Sequence, residues 1–205
     1  MVFEGIENRE RTERFDRYKV ELFDQLKARY AQETIANDPV LEGFRRLHEE
    51  VGRSNRRFPS SSERMLDVFL RHGSIAAINL AVDIYNCISL ETFLSLGAHD
   101  IDQLNGSIAL RMTDGSEHFT PLGKERAESI PAGEYGYVEE GGEVLCRLEC
   151  RQAERTKLTL QSRNCFYMIQ GHAHTSHAYI MDAVDKLVEL TKIHCGGHER
   201  MLWSG

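Results

Sequence analysis

The stretch "NLAVDIYNCISLETFLSLGAHDIDQL", residues 79–104, decides how helix and sheet divide this chain. At ~100° per residue, Asn79, Asp83 and Asn86 fall within about 60° of one another on a helix. Leu80, Ile84 and Ile88 form an apolar row at spacing four beside them. The period predicts a helix from about Ser74 to Leu96, stopped at Gly97. An Asn–Asp–Asn edge on so apolar a segment needs partners, since a buried carboxylate without donors costs on the order of several kcal/mol. The stripe therefore faces water, a polar network or a ligand.

Upstream, the helical period continues. Residues 11–33 read as an amphipathic helix with Phe15, Tyr18, Leu22, Leu26 and Tyr30 on one face. Residues 39–51 give a second, capped by Asp38, with Pro39 at its first position and Gly52 past its end. Serines 60–62 offer caps for a third that closes at Gly73. Downstream, after Gly106, the period changes from 3.6 to 2. Ile108, Leu110 and Met112 alternate in a strand before a hairpin turn at Asp114-Gly115. A second hairpin turns at Gly141-Gly142, with Val144, Cys146, Leu148 and Cys150 on one face of its second strand. "NCFYMIQGH" is a further strand. "SHAYIMDAVDKLVELTKIHCGG" is a closing helix with Ile180, Val184, Leu187 and Ile193 inward. The tail "HERMLWSG" is too short to fold alone, and Trp203 is its candidate docking residue. Helices, then hairpins, then a helix describe an α+β fold, with N-terminal helices packed on a mostly antiparallel sheet.

At 205 residues with five cysteines in no regular framework, the chain has the size to bury a core without disulfides. Met1–Arg14 is charged and lacks a signal-peptide pattern, and no apolar run approaches a membrane span. The expectation is reduced thiols and a cytoplasmic protein with no membrane partner. A net charge of −7 argues against a dedicated strong nucleic-acid binder, DNA included. Charge is uneven, however. Residues 45–71 hold seven arginines and no lysine against four acids, with Arg53, Arg56 and Arg57 in the loop-like "GRSNRRFP". Arginines there suit bidentate phosphate contacts, or form a solvated connector.

Enzyme signatures are missing. No G-x-S-x-G elbow, Walker loop or G-x-G-x-x-G precedes a helix. "GHAHTSH" gathers His172, His174 and His177, yet no C-x₂-C or H-E-x-x-H spacing fixes a metal. Cys146 and Cys150 stand ~13 Å apart along a strand, too far for one ion. No metal and no cofactor are assigned.

Two segments carry a resemblance: "INLAVDIYNCISLETFLSLGAHDIDQLNGSIALRM" and "CRLECRQAERTKLTLQSRNCFYMIQG". Their N-x₃-D-x₂-N (Asn79, Asp83, Asn86), G-x₂-D (Gly97, Asp100), "GSIALRM" strand and R-Q-x-E-R-T (Arg151 to Thr156) resemble the B3/B4 domain of the phenylalanyl-tRNA synthetase beta subunit. Free-standing proteins built on that domain alone are more similar still. The likeness covers about residues 45–172. It implies division into an N-terminal helical extension (1–44), a B3/B4-like domain (45–195) and a tail (196–205).

In the synthetase this domain is the editing site, which hydrolyses tyrosine wrongly esterified to phenylalanine tRNA. The resemblance therefore implies a trans-acting editing hydrolase whose partner is the aminoacylated 3′ end of a tRNA. The alternative on the same fold is a non-catalytic tRNA-binding protein. The implied catalytic residues are Asn79 and His99. Asp83, Asn86, Gly97, Asp100 and Thr156 would surround the substrate, and Arg53, Arg56, Arg57, Arg151 and Arg155 would take tRNA phosphates. The polar stripe equally reads as internal caps holding the helix to the hairpins. Two departures stand out. The synthetase pattern has a histidine where this chain has Gly97, and a glutamate where Met168 or Gln170 stands. An amino acid other than tyrosine is implied, since a site that recognises a hydroxyl does so through dedicated polar partners. The helix at 11–33 fits packing within the chain or on a second copy.

Overall fold

A sharp corner at Phe93 separates helix from strand within residues 79–104. The structure, a computed structural model, describes residues 1–32 and 35–202. Helix α4 runs Leu80–Thr92, and Phe93 then adopts a left-handed φ of 59°. Its N–H donates to Ser89 O while its ring stays buried against the core. The chain leaves this corner as strand β2, Ser95–Asp100. The expected helix over 74–96 is thus too long at both ends. Gly97 lies mid-strand and stops no helix. Sheet pairing of an apolar run outweighs a helical period that leaves no hydrophobic face uncovered.

The other helices follow their caps. Before them, β1 (Val2–Glu4) opens the chain, followed by α1, Glu13–Gln32. Helix α2, Pro39–Glu50, starts at Asp38, whose carboxylate accepts from Val40 N. Helix α3, Ser61–His72, is capped by Ser60 and closed by a left-handed Gly73. Six strands lie between β2 and the next long strand: β3 (Ile108–Met112), β4 (His118–Phe119), β5 (Glu128–Ser129), β6 (Tyr135–Glu139), β7 (Val144–Arg147) and β8 (Arg151–Gln152). Then come β9 (Cys165–Gln170), α5 (His177–Cys195) and β10 (His198–Arg200).

Two antiparallel sheets result. The first has the order β10-β1-β9-β2, the second β3-β6-β7-β8, and β4 and β5 form a small ribbon. The hairpin at Gly141-Gly142 forms as expected between β6 and β7. The one at Asp114-Gly115 does not: β3 pairs with β6, Leu110 opposite Tyr137. Glu117 folds its carboxylate back onto the N–H groups of Asp114 and Gly115, so that turn is a closed loop of its own. β7 ends at Arg147 because Leu148 and Glu149 both take positive φ, 51° and 43°. Leu148 and Cys150 therefore lie beyond the strand face expected for them. Ile193 points outward on α5 and is 39% exposed.

Helices α4 and α5 cover one face of the first sheet. Along β2 and β9, Leu96 and Ala98 oppose Ile169 and Tyr167 on that covered face. Gly97 and His99 oppose Met168 and Phe166 on the other, toward the second sheet. The main core joins Phe15, Leu22 and Leu26 of α1 to Ile84 and Ile88 of α4 and Leu187 of α5, so residues 13–32 share their hydrophobic cluster with the rest of the chain. The tail is tied down as β10, antiparallel to β1. Trp203 lies outside the described residues. No described helix is long and apolar enough to cross a membrane.

Candidate functional site

The polar stripe resolves into a fastening. Asn79 caps α4: its Oδ1 accepts from Val82 N at 3.1 Å and from Asn8 Nδ2 at 3.0 Å. Its Nδ2 donates to Leu158 O at 3.3 Å. Asp83 is buried and receives Ile78 N and the Lys19 ammonium, each at 2.8 Å. Asn86 is half-buried one turn further on. Two of the three residues nominated from the stripe therefore join α4 to the N-terminal segment, α1 and the 156–160 connection. The carboxylate's donors, required by its burial, come from within the chain.

His99, which the resemblance implies to be catalytic, is fully buried on β2. Its Nδ1 lies 2.6 Å from Thr156 Oγ1, and Nε2 has no protein partner among the described residues. Burial, with the nearby Arg155 charge, pushes its pKa down to about 4. A general base at neutral pH works best with a pKa near 7, so His99 is poorly suited to that role. Asp100 caps the following turn through Asp102 N and accepts from Ser162 Oγ. Gln152 Nε2 donates to Ala98 O at 2.6 Å, completing the clamp of β2 to the second sheet.

The five nominated arginines divide into two places. Arg155 binds Glu139, Glu143 and Gln103 O, which makes it a structural strut. Of the others, Arg57 and Arg151 sit beside Phe58, together with Arg147. Arg151 lies 4.8 Å from its ring centroid, Arg147 5.3 Å and Arg57 5.9 Å, all within cation–π range. Arg53 and Arg147 share the buried Glu134 carboxylate. Their charges hold that carboxyl below its ordinary range, against the opposing effect of burial. Arg56 and Arg57 remain exposed. Beside this cluster His48 donates Nδ1–H to Phe58 O at 2.7 Å, and its Nε2 lies 2.9 Å from Glu149 Oε1, near enough for an ion pair though poorly aligned for a hydrogen bond. Tyr135 donates to the other Glu149 oxygen.

The other candidates are quiet. His172 packs so closely on α2 that a Cβ at Gly43 would lie 2.1 Å from its Nε2. Among the described residues no group of three His, Cys, Asp or Glu side chains converges as metal ligands. Burial pushes the Cys87, Cys150 and Cys195 thiols up to about 12, far from the thiolate that nucleophilic attack needs.

The open space lies elsewhere. Met1 bonds Tyr167 through both its N–H and its C=O, and among the described residues β9 runs on from there to Gln170 paired with β2 alone. There a cleft of about 580 Å³ opens, within the range of small-molecule sites. Phe166, Met168 and Ile169 of β9 form its floor. Leu110 and Tyr137 supply one wall, and Ile180, Met181 and Val184 of α5 the other. Met201 and Leu202 stand at its rim. Among the described residues no Asp, Glu, Lys or Arg side chain lines it. None of the residues nominated as catalytic, substrate-binding or tRNA-binding lines it, whereas His177 of the "GHAHTSH" run does, and Gly97 pairs with Met168 across β2 and β9, its Cβ position 3.6 Å from Met168 Cε.

Residues 44–189 match the sequence profile of the B3/4 domain. The chain belongs to the B3/4 domain family. Among solved structures, an N-terminal fragment of the phenylalanyl-tRNA synthetase beta-subunit from Pyrococcus horikoshii is similar, at 17% identity and a TM-score of 0.48. The likeness covers 57% of this chain and 40% of that fragment, so the chain spans well under half of it. A comparison with curated proteins finds no match.

This B3/4 domain places its polar motifs and its cavity side by side, not together. N-x₃-D-x₂-N fastens α4 and R-Q-x-E-R-T clamps β2, while the cleft is assembled from β3, β6, β9 and α5. Spacing arguments missed the cleft because its walls come from strands and a helix far apart in the chain. The sequence carries one part of it, the strand β3 with alternating Ile108, Leu110 and Met112, of which Leu110 lines the cleft.

Proposed function

We propose that this protein is a trans-acting, editing-type hydrolase that removes a wrongly attached amino acid from the 3′ end of a tRNA. The observation that carries the reading is the cleft of about 580 Å³ bordered by Met168, the partner of Gly97, in a B3/4 domain. In this reading the amino-acid side chain enters between Leu110, Tyr137 and Met168. The exposed Arg56 and Arg57, with Arg151, take tRNA phosphates. An aminoacyl ester is already activated, so water can attack its carbonyl without a covalent intermediate. The ester C–O bond breaks, the ribose oxygen recovers a proton and the amino acid leaves as its carboxylate. Asn79 and Asp83 serve by fastening α4, and His99, Asp100 and Thr156 by fixing β2, with Arg53 and Arg155 as struts.

Hydrolysis of a panel of correctly and incorrectly charged tRNAs, with an enzyme-free blank, tests the proposal. Release from a mischarged species well above the blank is expected. Blank-level rates throughout would overturn the hydrolytic reading. One observation favours the rival, a tRNA-binding protein without catalysis: Asn79 and His99 are both buried and committed inside the fold. In that case tRNA binding survives with no hydrolysis to lose. Either way affinity should be weak and salt-sensitive, because few phosphates are neutralised.

A further inference from the structure

Four of the chain's six methionines, Met1, Met168, Met181 and Met201, line this one cleft. The main core is built chiefly from leucine, isoleucine, valine and aromatic rings, with Met1 its one buried methionine among the described residues and Met65 and Met181 packed at its margin. The contrast has physical content. A branched aliphatic wall holds one shape, whereas methionine has three rotatable bonds and a polarisable sulfur and refits itself to what it touches. Met168 forms part of the floor, Met181 stands on α5, and Met1 and Met201 come from the two ends of the chain. The adaptable side chains therefore surround the space.

Polar groups are few: the Tyr137 hydroxyl, Thr175 and His177, with the Met1 amino group already donating to Tyr167 O. A carboxylate or ammonium carried into this cleft would lose water and, among the described residues, meet no Asp, Glu, Lys or Arg side chain, while the Met1 amino group is already tied to Tyr167 O and burial lowers its pKa. An apolar group would lose only its hydration shell, which favours entry.

Resting on the reading of the cleft as the substrate site, we infer that it accepts apolar amino-acid side chains of differing shape and rejects charged ones. Selection is by polarity, with the methionines accommodating both branched and ring side chains. The chain would then clear a class of mischarged species, not a single one.

Methionine methyl resonances give a direct readout, since the protein carries its own probes. Protein labelled with [methyl-¹³C]methionine is titrated with 3′-aminoacylamino-3′-deoxyadenosines, whose amide link is not hydrolysed, bearing leucine, phenylalanine or aspartate. The Met168 and Met181 signals should move saturably with the leucyl and phenylalanyl compounds, at affinities within about tenfold of each other. The aspartyl compound should bind about 100-fold more weakly. Met65, on α3 and outside the cleft, should stay still. Equal response to the aspartyl compound, or response to only one of the two apolar ones, overturns the inference. So does hydrolysis of aminoacyl-tRNA while Met168 and Met181 stay silent, an outcome that leaves the hydrolytic function standing. Shifts without hydrolysis support the inference and sink the hydrolytic function.

Discussion

Asn79 caps α4, fastens Asn8 and ties down Leu158 O with one amide, so its removal should be felt in stability first. Asn79→Ala is expected to lower unfolding free energy by about 2 kcal/mol, the upper end for a lost cap, because Asn8 also loses a partner. Urea unfolding checks this, and a change under about 0.5 kcal/mol, the usual scatter of surface substitutions, would show that the cap is not load-sharing. His99 makes a pH prediction. Its ordinary value is 6.5 and burial holds it at about 4 in the folded chain. The unfolded chain thus binds more protons between those values. Stability from this residue is complete above pH 6.5 and is lost as pH falls toward 4, on the order of 3 kcal/mol in all. His99→Gln should flatten that part of the stability–pH curve; an unchanged slope would contradict the assignment. From sequence, His99 was visible as a residue near the motifs. Its burial was not, because that depends on β2 lying beneath the second sheet.

At the scale of elements, the caps were legible and the corners were not. Asp38, Ser60 and Ser176 start helices where their side chains can reach the first free N–H groups, and Gly73 ends one in the left-handed region. Phe93 makes a left-handed corner with a residue that rarely does so, and only burial of its ring justifies it. The pairing of β3 with β6 skips over the β4–β5 ribbon, so no local turn announces it. The 52–58 loop offers a test. Arg53 pins it to Glu134, whose carboxyl is held below its ordinary value by Arg147 and Arg53 despite burial. The pin is whole above the ordinary glutamate range and fails as pH drops through the lowered value. Glu134→Gln should bring acid-like loosening at neutral pH, read as faster amide exchange in residues 52–58. Unchanged exchange there would show that the loop is held by Phe58 alone. Gly197 offers a second: at φ 81°, with a Cβ position 2.7 Å from Glu4 O, Gly197→Ala should detach β10 from β1 and lower the melting temperature.

For the whole molecule, the α+β order and family resemblance were readable because several motifs recur in sequence order. The cavity was hidden because no short stretch contains it. The Asn79–Asp83 fastening belongs to a frame, and the open space lies across β2 at Met168. The rate of deacylation of mischarged tRNA by two single variants at neutral pH separates frame from cavity. Leu110→Asp alters a half-exposed cleft wall that the fold does not need, and His99→Gln alters a buried strut. Leu110→Asp should lose at least about tenfold in rate, some 1.4 kcal/mol of barrier, while His99→Gln should stay within about threefold of the parent. A His99→Gln enzyme that is folded but inactive, beside a fully active Leu110→Asp enzyme, would contradict that division and return the chemistry to the polar stripe.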